Sequence, residues 1–293
     1  MLRKIFALIL CGGLCGVLSL DRLSAKSAQD NTLKLDVNLV NVFTTVTNPR
    51  GEFVTGLSRD DFRIFEDDVE QKISIFEKDD QVESAFGVLI DNSGSMIDIL
   101  PIMKTGVLDF AQKARRTDEF FVMTFGTRAQ VMLETHQPVR NLDAAFRTLQ
   151  AQGICVLFDA LIQGMTKVSK SDQERKALIV FTDGNDNGSK AGFGAVSLAA
   201  QRSSVLLYFV PIGPRVHIDQ TTVESLAKLS GGRVIYLEKT DPIRPAMESI
   251  RTDLAKQYYL GYYAPVRPGV HHIRVEAPGR DVRIRAKTGY VAS

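Results

Sequence analysis

Phe86-Gly87-Val88-Leu89-Ile90-Asp91-Asn92-Ser93-Gly94-Ser95-Met96 carries the strongest signal of architecture in this chain. Five mostly apolar residues run into a carboxylate, and two hydroxyls and a glycine follow at once. The run is too short for a buried helix and suits a strand covered on both faces, as in a parallel sheet. Asp91 then stands at the strand's carboxyl end, the edge at which open α/β sheets bind ligands. Asp91-x-Ser93-x-Ser95 offers three hard oxygens within five residues, and Gly94 permits the tight turn that lets them converge. Such oxygens suit Mg²⁺, Mn²⁺ or Ca²⁺ rather than zinc. A turn followed by a helix N-cap would use the same residues, so the rest of the chain has to decide.

A second strand, Lys176-Ala177-Leu178-Ile179-Val180-Phe181, ends in Thr182-Asp183-Gly184 and sends a second carboxylate off the same kind of strand end. The pair of motifs resembles the von Willebrand factor A family, whose metal-ion-dependent adhesion site uses Asp-x-Ser-x-Ser, a distant Thr and a distant Asp. The resemblance covers roughly residues 84–257. It implies one Mg²⁺ (or Mn²⁺ or Ca²⁺), with Ser93 and Ser95 as direct ligands and Asp91 and Asp183 supplying negative charge. It also implies a partner protein that offers a carboxylate to the ion.

One ligand departs from the pattern. Where the family often writes Gly-Thr-x-Leu-Tyr-Asp-Ala, this chain has Gly153-Ile154-Cys155-Val156-Leu157-Phe158-Asp159-Ala160, which puts Cys155 at the threonine position. A thiol is a poor partner for Mg²⁺, so either affinity falls or water fills the gap. Cys155 also reads as a small buried hydrophobe. Asp183-x-Asn185-x-Asn187-Gly188 matches the first half of a calcium loop, but position 194, where the closing glutamate belongs, is Gly194. It reads as a loop at the mouth of the main site, with Asp186 as an outer acid.

Around these strands the periodicity alternates helix and strand. Ile99, Ile102, Met103, Val107, Phe110 and Ala114 mark a one-faced helix to Arg115. Residues 120–125 form a strand with an antiparallel neighbour at 129–134, followed by helices at 142–149 and 156–168. Beyond the Asp183 strand come a helix at 194–201, strand 205–210, helix 222–229, strand 233–237 and helix 245–257. The pattern gives an α/β fold with a doubly wound, mostly parallel sheet.

The flanks are all-β. Alternation at residues 33–39, 42–47, 62–66 and 72–76 precedes the α/β region, the last two as a hairpin across Asp67-Asp68. Strands at 258–263, 271–275 and 282–286 follow it. Neither half-set is stable alone, so the two are expected to join in one accessory β-sandwich. The expected domains are a signal peptide at 1–28, a discontinuous accessory β domain at 29–82 and 258–293, and the von Willebrand factor A domain at 83–257. The acid-rich stretch 60–83 faces a basic C-terminal stretch. Arg283, Arg285 and Lys287 share one strand face there, either as a solvated surface or as a polyanion site.

Met1-Leu2-Arg3-Lys4 and the apolar run at 5–20 have the two-part form of a secretory signal. Export would place the chain in a periplasm, at a cell surface or in the medium, with the membrane involved only if the segment stays uncleaved. Removing it takes away Cys11 and Cys15 and leaves Cys155 without a disulfide partner. A formal charge of +2 carries no nucleic-acid footprint. No nucleophile elbow, phosphate loop or zinc helix occurs, so no enzyme is expected. The flanking strands, the Gly51-x-Phe53-Val54-x-Gly56-Leu57 turn and Leu260-Gly261-Tyr262 look like the A-related proteins of bacterial exported sets. The expected function is adhesion-type partner capture through the ion. The rival is a metal-free scaffold whose site has decayed.

Overall fold

Apolar residues at every second position make one long strand of the first described stretch, β1 (Val37–Thr47), with Val40, Val42 and Val46 buried. The computed structural model describes residues 37–78, 83–115 and 117–292; the expected signal peptide and most of the expected 33–39 strand lie outside these. A tight hairpin follows. Asp67 and Asp68 both have positive φ (49° and 65°) and join β2 (Arg63–Glu66) to β3 (Val69–Gln71). The expected return strand at 72–76 is therefore wrong. A two-residue turn brings the chain back at Val69, and β4 (Ile75–Lys78) leaves for another sheet.

The α/β part begins at β5 (Ser84–Asp91) and runs through α1 (Leu100–Gln112), β6 (Glu119–Phe125), β7 (Ala129–Leu133), α2 (Arg140–Thr148) and α3 (Leu157–Val168). It continues with β8 (Arg175–Thr182), α4 (Phe193–Arg202), β9 (Val205–Pro211), α5 (Gln220–Ser230), β10 (Arg233–Val234) and α6 (Ile243–Ala255). Strands β11 (Tyr258–Pro265), β12 (Gly269–Glu276), β13 (Arg283–Arg285) and β14 (Gly289–Ala292) close the chain.

All eight residues of β5 are buried. Phe86, Val88 and Ile90 join the core under α1, α2 and α6, whereas Ala85 and Leu89 join the core under α3, α4 and α5. That double burial is what a continuous apolar run encodes. At Gly87 a Cβ would stand 2.4 Å from both Leu178 Cδ2 and Phe121 Cζ, so the side chains of β6 and β8 meet over a bare backbone. The sheet order is β10-β9-β8-β5-β6-β7, parallel throughout except for the β6–β7 pair. The chain winds outward from β5 through β6, then returns to β8 on its other side. The carboxyl ends of β5 and β8 thus form the switch point at which such sheets open a crevice. Regular pairing of β10 covers only two residues of the expected 233–237 strand, although the Ile235 and Leu237 N–H groups still donate to β9 carbonyls.

The flanking strands form two four-stranded sheets, β13-β1-β11-β4 and β14-β12-β2-β3. Each mixes N- and C-terminal strands, with β1 paired to β11 and β2 to β12. Their shared core holds Val42, Phe62, Ile64, Tyr258, Leu260 and Ile273. Glu66 is wholly buried there and accepts hydrogen bonds from Tyr262 Oη (2.7 Å), Tyr290 Oη (3.1 Å) and Arg267 (2.7 Å). Glu66, Asp67 and His271 bring ligand-type atoms within 4.8 Å of one another. Arg267 already supplies their countercharge, so the group is an ion-pair network.

The outer face of β1 meets the α/β part. Phe43 stacks on Tyr259 at 4.9 Å, and the buried Asp253 of α6 gathers Thr45 Oγ1 (3.2 Å), Tyr208 Oη (2.9 Å) and Arg285 Nη2 (2.6 Å to both oxygens). Arg285 therefore turns inward, which contradicts the expected exposed face shared by Arg283, Arg285 and Lys287. A buried carboxylate attracts the guanidinium more strongly than water does once its partner hydroxyls are in place. Arg280, by contrast, pairs with Asp61 as the opposed charges of the two stretches suggest.

Two outcomes follow from these networks. Arg285→Met removes the double hydrogen bond on buried Asp253 and leaves it Arg233 Nε at 3.5 Å, so it is expected to cost roughly 1.5–3 kcal/mol in urea unfolding; a loss below about 0.5 kcal/mol would mean that the tie carries no weight. His271 offers a pH test. Burial opposes its charge, but the Arg267 carbonyl and the Asp67 and Glu66 carboxylates outweigh burial and raise its pKa. Its contribution is fully present below the unfolded value of about 6.5 and is lost as pH rises through the raised folded value. Unfolding free energy measured from pH 5.5 upward should therefore fall across that window in the parent chain and stay flatter in His271→Gln.

Candidate metal centre

The β5 strand delivers Asp91 to the sheet edge with no exposed surface. The loop then folds back on itself, with Ser93 N–H donating to Asp91 Oδ1 at 2.8 Å and Gly94 N–H to the Gly153 carbonyl at 3.1 Å. A 3₁₀ turn at Gly94–Met96 brings Ser95 Oγ to 3.1 Å from Ser93 Oγ. From β8, Asp183 Oδ2 accepts a hydrogen bond from Ser95 Oγ at 2.6 Å. The four expected residues thus meet. Asp91 and Ser93 are buried, Asp183 is partly exposed and Ser95 is exposed, so the cluster opens outward through Ser95 and Asp183.

Cys155 reaches the same cluster from the loop before α3. Its thiol donates to Asp91 Oδ2 at 3.3 Å and is buried. Burial, reinforced by the Asp91 charge, pushes the thiol pKa far up, so it remains a neutral donor. Thr182, at the end of β8, donates to the same oxygen at 3.0 Å and accepts from Gly184 N–H. Sequence reasoning gave Thr182 no role. The available signal was a hydroxyl placed one residue before a strand-end acid, where alternation turns it toward β5 while Asp183 faces the crevice.

The 183–188 loop spends its side chains on tethering. Asn187 Oδ1 accepts from Cys155 N–H at 2.8 Å, and Asn185 Nδ2 donates to the His217 carbonyl at 2.7 Å. Asp186 accepts from Phe158 N–H (3.1 Å) and Ser189 Oγ (2.6 Å), so it holds the start of α3 rather than serving the main site as an outer acid.

Electrostatics gives the donor set its direction. Burial raises the Asp91 pKa, and the nearby Asp183 charge adds to the rise against the opposing hydrogen bonds from Ser93 and Cys155. Among the described residues, no Lys, Arg or His nitrogen lies within 4.0 Å of either carboxylate. Two neighbouring acids with two hydroxyls and no protein cation fit a hard divalent ion, which favours oxygen ligands and neutralises both charges.

The residues match the family model described as von Willebrand factor type A domain over positions 87–185. The chain carries a von Willebrand factor type A domain. Domains of this type are generally protein-interaction modules, not enzymes. An uncharacterised protein of Synechocystis is 27% identical to the chain over 158 residues, 52% of the chain and 37% of that protein. The chain spans well under half the length of the curated relatives it matches. Among solved structures, a von Willebrand factor type A protein from Catenulispora acidiphila superposes with a TM-score of 0.54 at 13% identity, covering 89% of the chain and 75% of that protein. Proximal thread matrix protein 1 of the mussel byssus, with zinc in its MIDAS motif, gives 0.53 at 18% identity over 65% of the chain and 50% of its own. At these identities the likeness to both structures is one of fold.

Proposed function

We propose that the A domain captures a partner protein through one divalent cation held by Ser93 and Ser95, with Asp91 and Asp183 supplying the negative charge. The observation that carries this reading is the convergence of two uncompensated carboxylates and two hydroxyls at the switch point of the sheet. When bound, Mg²⁺, Mn²⁺ or Ca²⁺ supplies an electrophile for a carboxylate of the partner. The chain's own residues do the rest. Ser93 N–H, Thr182 and Cys155 fix the Asp91 carboxylate, and Ser95 with Asp183 faces the approaching partner. The mussel protein's zinc-bearing motif supports the use of an ion at this place in the fold.

The wider reading belongs to the same proposal. Residues 1–28 direct export to a periplasm, cell surface or medium, and 29–82 with 258–293 form an accessory β domain beside the A domain at 83–257. No helix among the described residues is long and apolar enough to cross a membrane. The second reading, a metal-free scaffold, is favoured by one specific feature. Both Asp91 oxygens already accept protein hydrogen bonds, one of them from a thiol where the family places threonine.

Thermal melts in Mg²⁺, Mn²⁺, Ca²⁺ or chelator separate the two. An ion at about a hundred times its dissociation constant adds ~2.7 kcal/mol, a shift of several degrees that should vanish in Asp91→Ala. Cys155→Thr should strengthen the Mg²⁺ response by replacing a soft atom with a hard one. No shift with any ion in the parent chain, together with a shift in Cys155→Thr, would establish the scaffold reading.

A further inference from the structure

A second polar cleft, of about 220 Å³, lies between the end of α4, the start of β1 and β14, with Ser204 at the amino end of β9, the opposite edge of the parallel sheet from Asp91. Two cations line it, Arg202 and Lys287. Neither has a carboxylate within 4.0 Å among the described residues. The Lys287 ammonium has only the Tyr290 ring, 5.7 Å away, and burial pushes its pKa down to about 8. Asn41, in the same lining, is committed to Tyr259 Oη and Glu174, and the Ser203 hydroxyl to the Ala200 carbonyl. Asn38 and Ser204, both exposed in the lining, make no side-chain hydrogen bond among the described residues.

We infer that this cleft binds a doubly charged oxyanion, the phosphate group of a small polar molecule, between Lys287 and Arg202 with Asn38 and Ser204 as hydrogen-bond donors. Two unpaired cations match two negative charges. Partial burial strengthens the Lys287 contact over its value in open water, whereas Arg202 reaches the anion from the exposed rim. The cleft has room beyond one phosphate for a small polar body. The competing account uses the cations alone, since α4 ends at Arg202 and helix C-terminal carbonyls favour positive charge.

The test is isothermal titration of the full chain with inorganic phosphate and with glycerol phosphate, against chloride at matched ionic strength so that screening is constant. Saturable binding of phosphate is expected, tighter for the ester. The exposed Arg202→Gln is expected to weaken it about tenfold or more, as loss of a charged hydrogen-bond partner does, and Lys287→Met by at least as much. Asp91→Ala should leave it unchanged, which separates this site from the metal centre. Equal responses to phosphate and chloride, or phosphate binding untouched by Arg202→Gln and Lys287→Met, would overturn the assignment. If Lys287→Met fails to fold, Arg202→Gln decides alone.

Discussion

Two carboxylates share one sheet edge, and among the described residues no basic side chain lies within 4.0 Å to neutralise them. Asp91 is wholly buried and Asp183 stands beside it, joined through two serine hydroxyls. Elsewhere in the fold, buried acids are answered by the protein itself. Asp253 has Arg285, and Glu66 has Arg267 and two tyrosines. The contrast sets the candidate metal centre apart. Where the chain needs a buried acid for stability it provides a cation, and at the β5–β8 switch point it leaves that role open.

The accessory sheets bear on this indirectly. They are built from both ends of the described chain, and one of them lies against α6 through Phe43, Thr45 and Arg285. The closing helix of the α/β part is thereby held from outside as well as from its own core. For the partner capture proposed above, sheets packed against α6 would hold the Asp91 edge in one direction relative to them and lower the cost of ordering on association.

Much of the fold was legible because its signals are local. The 86–90 run and the 176–181 run read as doubly buried strands, and their terminal acids mark the site. The von Willebrand factor A resemblance rested on those same residues. What failed were decisions made by tertiary partners. The Asp67-Asp68 turn was visible, but β-branched residues at 72–76 looked like the returning strand until Ile75 was seen to pair across the fold with Gly261. Arg285 sat in an alternating basic stretch that reads as exposed, and only the buried Asp253, 32 positions away, turns it inward. Alternation gives the direction of the Thr182 hydroxyl, but that its partner is Asp91 depends on β5 lying beside β8.

Electron paramagnetic resonance counts the bound Mn²⁺ per chain directly, in the parent and in Ser93→Ala and Asp183→Ala. A single site, displaced by Mg²⁺ and lost in both variants, is expected. Absence of bound Mn²⁺ in the parent, or a site indifferent to both substitutions, would contradict it.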